Sequence, residues 1–333
     1  MTIHIRGIVE FEKILSEPWQ DAIGMTRTRM AVQQLLDTQE SLSTLEKRLK
    51  DYIEKSDAVI DYLAKTGAGQ LTEHPVFEWS VDDSILRSPC WRLESILPRY
   101  ALSVMNENEA HRHVKEHNYK EARKMFFATI DMHKQCAQNL ALWKWKLPAL
   151  NQDVLQKNWH LAKIEMLTGM ATLCMLSTGI QKQMKSTALF TVTQRALRNF
   201  TRSLAIWSSK QAQDLMNVSE ALRYYFSSDI LWTSERYGES IRRLERWTQQ
   251  QLEFGPFEIL KDEWNKVPLL LEERRTTNNG AYFDPIKDAT PLCSPVEFIN
   301  TPEAIDIPHP PATRAWDVSD EVASTPTELQ EHP

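Results

Sequence analysis

Tyr237-Gly238-Glu239-Ser240-Ile241-Arg242-Arg243-Leu244-Glu245 places Tyr237, Ile241 and Leu244 at i, i+4 and i+7, one face of a helix with charges opposite. Gly238 has no Cβ and leaves room for a neighbouring backbone to approach closely. The stretch reads as an inward-packing helix of a stacked helical array. Further along, Asn278-Asn279-Gly280-Ala281-Tyr282-Phe283-Asp284-Pro285-Ile286 reads as a turn that Asn278 fixes by bonding local backbone.

The rest of the chain agrees with a mainly α class. Only 9 of 333 residues are glycine, and alternating strand-like runs are nearly absent. Residues 2–12 alternate weakly through Ile3, Ile5, Val9 and Phe11, and Val76-Phe77-Glu78-Trp79 is an aromatic, β-prone run. These predict a small N-terminal sheet, with elements at 2–12 and 74–80. A helical body follows over 26–275. Within it, 26–63 predicts one or two long helices, and helices are expected at 92–114, 118–146, 152–184, 186–213, 215–252 and 257–275. Loops between them are short, so neighbours are antiparallel. Asn118 to Ala128, with small Ala122 beside Phe126, resembles half of a tetratricopeptide-like hairpin, although no strict repeat is visible.

Charge is uneven. The net charge is −6, yet residues 297–333 alone carry eight acidic side chains against Arg314, which leaves the body near neutral. Such a body has no strongly basic field for nucleic acid. From about Glu303 the Pro, Thr, Glu and Asp content cannot bury enough apolar surface to offset ordering entropy, so 303–333 is expected to be an acidic, disordered tail. Cys90, Cys136, Cys174 and Cys293 lack paired spacing, which argues against a disulfide framework or a cysteine zinc site. The N-terminus lacks an apolar signal core, no stretch reaches a membrane-spanning length, and the C-terminus is not a prenylation box. The expected setting is cytoplasmic, with membrane contact peripheral or through a partner.

Candidate chemistry is sparse. His113 and His117 stand at i, i+4 as a zinc pair would, but no third ligand accompanies them beyond Glu109 or Glu116, so they read as a solvated helix end. Asp82-Asp83 and Glu272-Glu273 are sequential and diverge, so they form no carboxylate dyad. Serine elbows, phosphate-binding glycine loops and dinucleotide fingerprints are absent. Neither an enzyme nor a cofactor or metal is expected. Met166, Met170, Leu173 and Cys174 form one apolar stripe, and Leu189, Val192 and Leu197 another. On periodicity they read as core packing, or as an adaptable methionine-rich groove for a partner helix. Lys182, Lys185, Arg195, Arg198 and Arg202 run along the same two helices, either as solvated faces or as a basic surface for anionic lipid or an acidic peptide.

In order along the chain, Ile3-His4-Ile5-Arg6 with Glu17-Pro18, Phe77-Glu78-Trp79, Glu94 to Ser103, Asn118 to Ala128, the hairpin Leu161 to Leu204, and the two opening stretches resemble the ALIX-type BRO domain. That resemblance implies a boomerang-shaped helical solenoid with tetratricopeptide-like hairpins over 1–302, closed by an extended segment at 278–302. It implies a structural motif at Tyr237, Gly238, Asn278 and Tyr282, with the Tyr282 ring packed as a hook on the helical core. It also implies a non-catalytic adaptor in endosomal sorting, whose middle hairpin accepts the amphipathic C-terminal helix of an ESCRT-III subunit. The implied partner-binding residues are Cys174, Leu189 or its neighbour Ala188, and Val192, to which the apolar stripe of the first helix adds Met170. Cys174 stands where the family carries a phenylalanine-like anchor, which shrinks the implied pocket. The alternative is a diverged scaffold that binds a different partner, such as a small GTPase or a cytoskeletal complex.

Overall fold

In a computed structural model, the chain is described at residues 3–6, 9–11, 22–38, 42–66, 77–81, 84–88, 91–141, 153–248, 251–287 and 292. The expected tail at 303–333, most of the closing segment beyond 287, and Cys90 and Cys293 lie outside these residues. The described chain is mainly helical with one small sheet, and it divides into two compact units that meet in sequence between Pro98 and Arg99.

The first unit holds strands β1 (Ile3–Arg6), β2 (Phe77–Val81) and β3 (Ser84–Ser88) and helices α1 (Ala22–Thr38) and α2 (Leu42–Thr66). The strands form an antiparallel sheet in the order β1-β2-β3. Register aligns Ile5 with Trp79 and Trp79 with Leu86, and all three are buried. Period-2 alternation therefore gives one face to the core, while Ile85, one residue away, is 46% exposed. The predicted pairing of the N-terminal strand with the Phe77-Glu78-Trp79 run is observed. Strand β3 was not foreseen, because the proline after it hides a five-residue arm in what reads as loop.

Phe11, Phe77 and Trp91 pack as an aromatic trio, with ring centroids 5.2–6.3 Å apart. Beside the sheet, the carboxylate of Glu94 is fully buried and accepts from Arg29 Nε (3.2 Å), Trp79 Nε1 (2.6 Å) and the Tyr52 hydroxyl. One side chain thus joins α1, α2, β2 and the start of α3 (Leu93–Lys115). Burial alone would lower the Arg29 pKa, but Glu94 and Tyr52 hold it above its ordinary value.

The second unit continues α3 from Arg99 and adds α4 (Tyr119–Ala141), a 3₁₀ turn (Asp153–Leu155), α5 (Lys157–Gln181), α6 (Ser186–Ile206), α7 (Lys210–Thr233), α8 (Tyr237–Glu245), α9 (Glu258–Trp264) and α10 (Val267–Thr277). Helices adjacent in sequence pack on one another through α5, α6, α7 and α8, around a core that runs from Ala110 to Leu271. Two predicted helices are each two. The stretch 215–252 breaks at Ser234-Glu235-Arg236, where Glu235 takes a left-handed backbone (φ 61°). The stretch 257–275 breaks at Asn265-Lys266, and Pro268 then opens α10. Helix α7 begins earlier than predicted because the Ser209 side chain caps it, accepting from Ala212 N at 3.4 Å.

Candidate functional site

The α5–α6 hairpin is held at three levels. A Cβ on Gly169 would come within 2.6 Å of the Phe200 ring, so this glycine seats the ring against α5. A Cβ on Gly179 would lie 2.7 Å from Leu189 Cδ2. Between α6 and the start of α5, Ser203 Oγ donates to Ala162 O at 2.8 Å. Small residues at the crossings therefore bring the helices close enough for a dry interface.

This packing separates the four apolar residues of the hairpin. Met170 (0% exposed), Cys174 (1%) and Leu189 (6%) lie in the core between helices. Burial pushes the Cys174 thiol up to about 12, so it behaves as a small apolar group. Val192 packs against the same core but is partly exposed. The apolar residues of the hairpin that do reach the surface include Val192, Ala188 one turn before it, and Met175 on α5.

Met175 escaped the sequence reading, which followed the stripe of greatest hydrophobicity and so followed the core. The usable signal was Glu165, the one charge between Ile164 and Gln181. Thr168, Thr172 and Met175 follow it at i+3, i+7 and i+10, along the same face. The hydroxyls of Thr168 and Thr172 are occupied by the carbonyls of Ile164 (2.7 Å) and Thr168 (2.8 Å). Thr172 is buried, so Thr168, with its hydroxyl already used, and Met175 are the members of this set that come partly to the surface beside Glu165.

Cations border this edge. Lys182, Lys185 and Arg195 are exposed, whereas Arg198 and Arg202 are half-buried. Burial raises the Glu165 pKa, opposed by the charges of Arg202 and Arg198, which places α5's partly open face in the field of these two α6 arginines.

A second constellation closes the C-terminal part of the unit. The Tyr237 and Tyr282 rings stack at 3.8 Å with planes 9° apart, and Trp232 meets Tyr237 edge-on at 4.9 Å. Tyr282 is 48% exposed, so it covers the outer face of Tyr237 and does not enter the core. Asn278 Nδ2 donates to Asp284 O (2.8 Å), its Oδ1 accepts from Asp284 N (3.1 Å), and the Asp284 carboxylate accepts from Gly238 N (2.8 Å). Arg274 ties α10 to α7 and α8 by donating to Ser228 Oγ (2.7 Å), Ser240 Oγ (3.0 Å) and Asp229. A Cβ on Gly238 would sit 2.0 Å from Pro285 O, backbone against side chain. Gly238→Ala is therefore expected to expel the 283–287 segment and destabilise the unit by about 2 kcal/mol, a cost set by the lost Asp284 bonds and tyrosine stack. Limited proteolysis after residue 280 checks this, with faster cleavage in the variant.

His113 and His117 do not converge: His113 faces Glu109 and Glu116, and His117 Nδ1 meets the Tyr119 hydroxyl at 2.9 Å. Among the described residues no group of three or more potential metal ligands forms, and no helix is long and apolar enough to cross a membrane.

No protein-family model matches the chain, and no curated protein matches it in sequence. Solved structures do match its fold. An ALIX BRO1–CHMP4C complex aligns over 90% of this chain and 97% of its own, with TM-score 0.66 and 12% identity. ALIX in complex with the SIVmac239 PYKEVTEDL late domain aligns over 88% of this chain and 46% of its own, with TM-score 0.67 and 12% identity. A Bro1-domain structure described as the basis for endosomal targeting aligns over 89% of this chain and 88% of its own, with TM-score 0.61 and 12% identity. The chain thus shares the fold of these proteins at an identity too low to carry their binding residues across.

Proposed function

From the BRO-domain fold we propose that the chain is a non-catalytic adaptor, acting in the cytoplasm and at endosomal membranes through its partner. Its ligand on this reading is an amphipathic helix from an ESCRT-III-type subunit, laid along the α5–α6 hairpin. The observation that supports it is the edge where Met175, Ala188 and Val192 come partly to the surface beside cations. Apolar anchors flanked by charge are what a helix-in-groove mode needs. Residues 1–302 would be the working domain. Met170, Cys174 and Leu189 form the floor behind the contact, and Val192 is the member of that set which meets the partner.

Titration calorimetry of the full chain with a CHMP4C-derived C-terminal helix peptide tests the proposal. Val192→Asp should weaken micromolar binding about a hundredfold, because a carboxylate is then buried at the contact, and, since Val192 is only partly buried, it should lower the thermal melt far less than a core substitution does. Leu189→Asp is a different experiment: it places a charge against Gly179 in the core and is expected to destabilise the fold itself. Unchanged affinity in Val192→Asp would move the contact elsewhere. The burial of Cys174, which removes an anchor pocket, favours the second reading of a scaffold with a different partner if no ESCRT-III peptide binds.

A further inference from the structure

Resting on the adaptor reading, we infer that the α5–α6 edge selects partner helices that carry carboxylates at one end of their apolar stripe, and that Arg198 and Arg202 are the residues that read them. Three buried arginines elsewhere in this protein have anionic partners. Arg29 pairs with Glu94, Arg274 with Asp229, and Arg223 with Glu220. Arg198 and Arg202 form no ion pair among the described residues, and the Nε of each is shielded from solvent with no hydrogen-bond partner. From Lys182 to Ile206 the chain carries five cations and no acidic residue: Lys182, Lys185, Arg195, Arg198 and Arg202. Glu165 is near enough to interact electrostatically but forms no ion pair with either arginine.

Position along the helix gives the partner its polarity. Ala188, Val192, Arg195 and Arg202 follow at i, i+4, i+7 and i+14, so one edge of α6 is apolar in its first half and cationic in its second. The cations begin one turn beyond Val192 and extend roughly 15 Å from it at 1.5 Å per residue. A helix lying along this edge meets the arginines only if its carboxylates are clustered one to three turns from its apolar anchors. An anionic bilayer fits less well. A lipid-binding patch projects its cations toward a plane, whereas Arg198 and Arg202 are half-buried, with the Nε of each shielded from solvent. Planar guanidinium forks with unused N–H groups suit carboxylates that enter the recess.

The test uses the full chain and two synthetic amphipathic helices of about 20 residues with identical leucine stripes, one ending in three Glu residues and the other in three Gln. The Glu peptide should bind at least about tenfold more tightly at 0.1 M salt, and the advantage should shrink in 0.5 M salt. Arg198→Gln with Arg202→Gln should erase the difference between peptides while leaving the affinity for the Gln peptide within about twofold, which also shows that the hairpin still folds. Equal affinity of the two peptides for the unmodified chain would overturn the inference while leaving the adaptor reading intact. Failure of both peptides and of the CHMP4C-derived helix would remove the adaptor reading and this inference together. Binding to phosphatidylserine vesicles that depends on the two arginines, with no preference for the Glu peptide, would overturn it in favour of a membrane surface.

Discussion

Glu94→Gln is expected to cost about 3–5 kcal/mol of stability, a large share of the roughly 5–15 kcal/mol that holds a typical domain together. The carboxylate is 0% exposed and Arg29, which it faces, is 1% exposed, so neutralising the acid removes the counter-charge of a guanidinium that water cannot reach. Trp79 Nε1 and the Tyr52 hydroxyl donate to the same two oxygens, and an amide has one acceptor where the acid has two. Desolvation and Glu94 together raise the Tyr52 pKa well above its ordinary value, so its proton stays on and it remains a donor. Tyr52→Phe, which removes one bond and no charge, should cost only about 1 kcal/mol. By contrast Arg112, paired with Glu109 and Glu116, is exposed, and solvent screens such a pair to a small contribution. Urea unfolding followed by circular dichroism reads the difference. A Glu94→Gln loss below about 1 kcal/mol would show that water or a shifted side chain compensates Arg29.

Acid should weaken the second unit through a buried histidine pair. His160 Nε2 donates to Val154 O (2.8 Å), which can only accept, so its Nδ1 is bare. That nitrogen lies 2.8 Å from His133 Nδ1, which must then carry the proton. His133 Nε2 is left bare, buried and without a hydrogen-bond partner among the described residues. Burial drives both pKa values down, that of His160 to about 4 and that of His133 well below its ordinary value, and the charge of Lys163 opposes protonation of each.

A folded-state pKa below the unfolded value of 6.5 means the unfolded chain binds the proton first. The stability is therefore present above pH 6.5 and lost as pH falls toward the folded value. For His160 alone the loss is about 2 kcal/mol by pH 5 and about 3 kcal/mol by pH 4, at 1.36 kcal/mol per unit. His160→Gln, which keeps a donor for Val154 and cannot titrate, should flatten the change between pH 7 and pH 5 by about 2 kcal/mol. Equal slopes in the two proteins would remove the pair as the source.

Much of this was legible in the sequence, and the parts that were not share a physical cause. The helical class, the small sheet and the close approach at Gly238 follow from local rules: spacing, β-prone aromatics and a missing Cβ. The break at Glu235 was hidden because a non-glycine residue adopts the left-handed backbone there, held by the hydrogen bond from Arg236 N to Leu231 O. The Glu94 hub joins residues up to 65 positions apart, beyond any local pattern. For the candidate site, periodicity placed two apolar stripes on α5 and α6 but could not order their faces. Helix α5 is buried on most sides, so its most hydrophobic stripe, Met170 and Cys174, belongs to the core, and the partly open edge is marked instead by Glu165 and Thr168.

Photo-crosslinking tests the central claim most directly. A benzophenone side chain placed at Ala188, half-exposed on α6, is mixed in the full chain with the CHMP4C-derived helix, and Gln213 on α7, exposed and outside the proposed edge, carries the same group as a control. Capture from position 188 and not from 213, lost with Val192→Asp, is the predicted result. Equal capture from both positions, or from 213 alone, would contradict the placement of the partner helix on the α5–α6 hairpin.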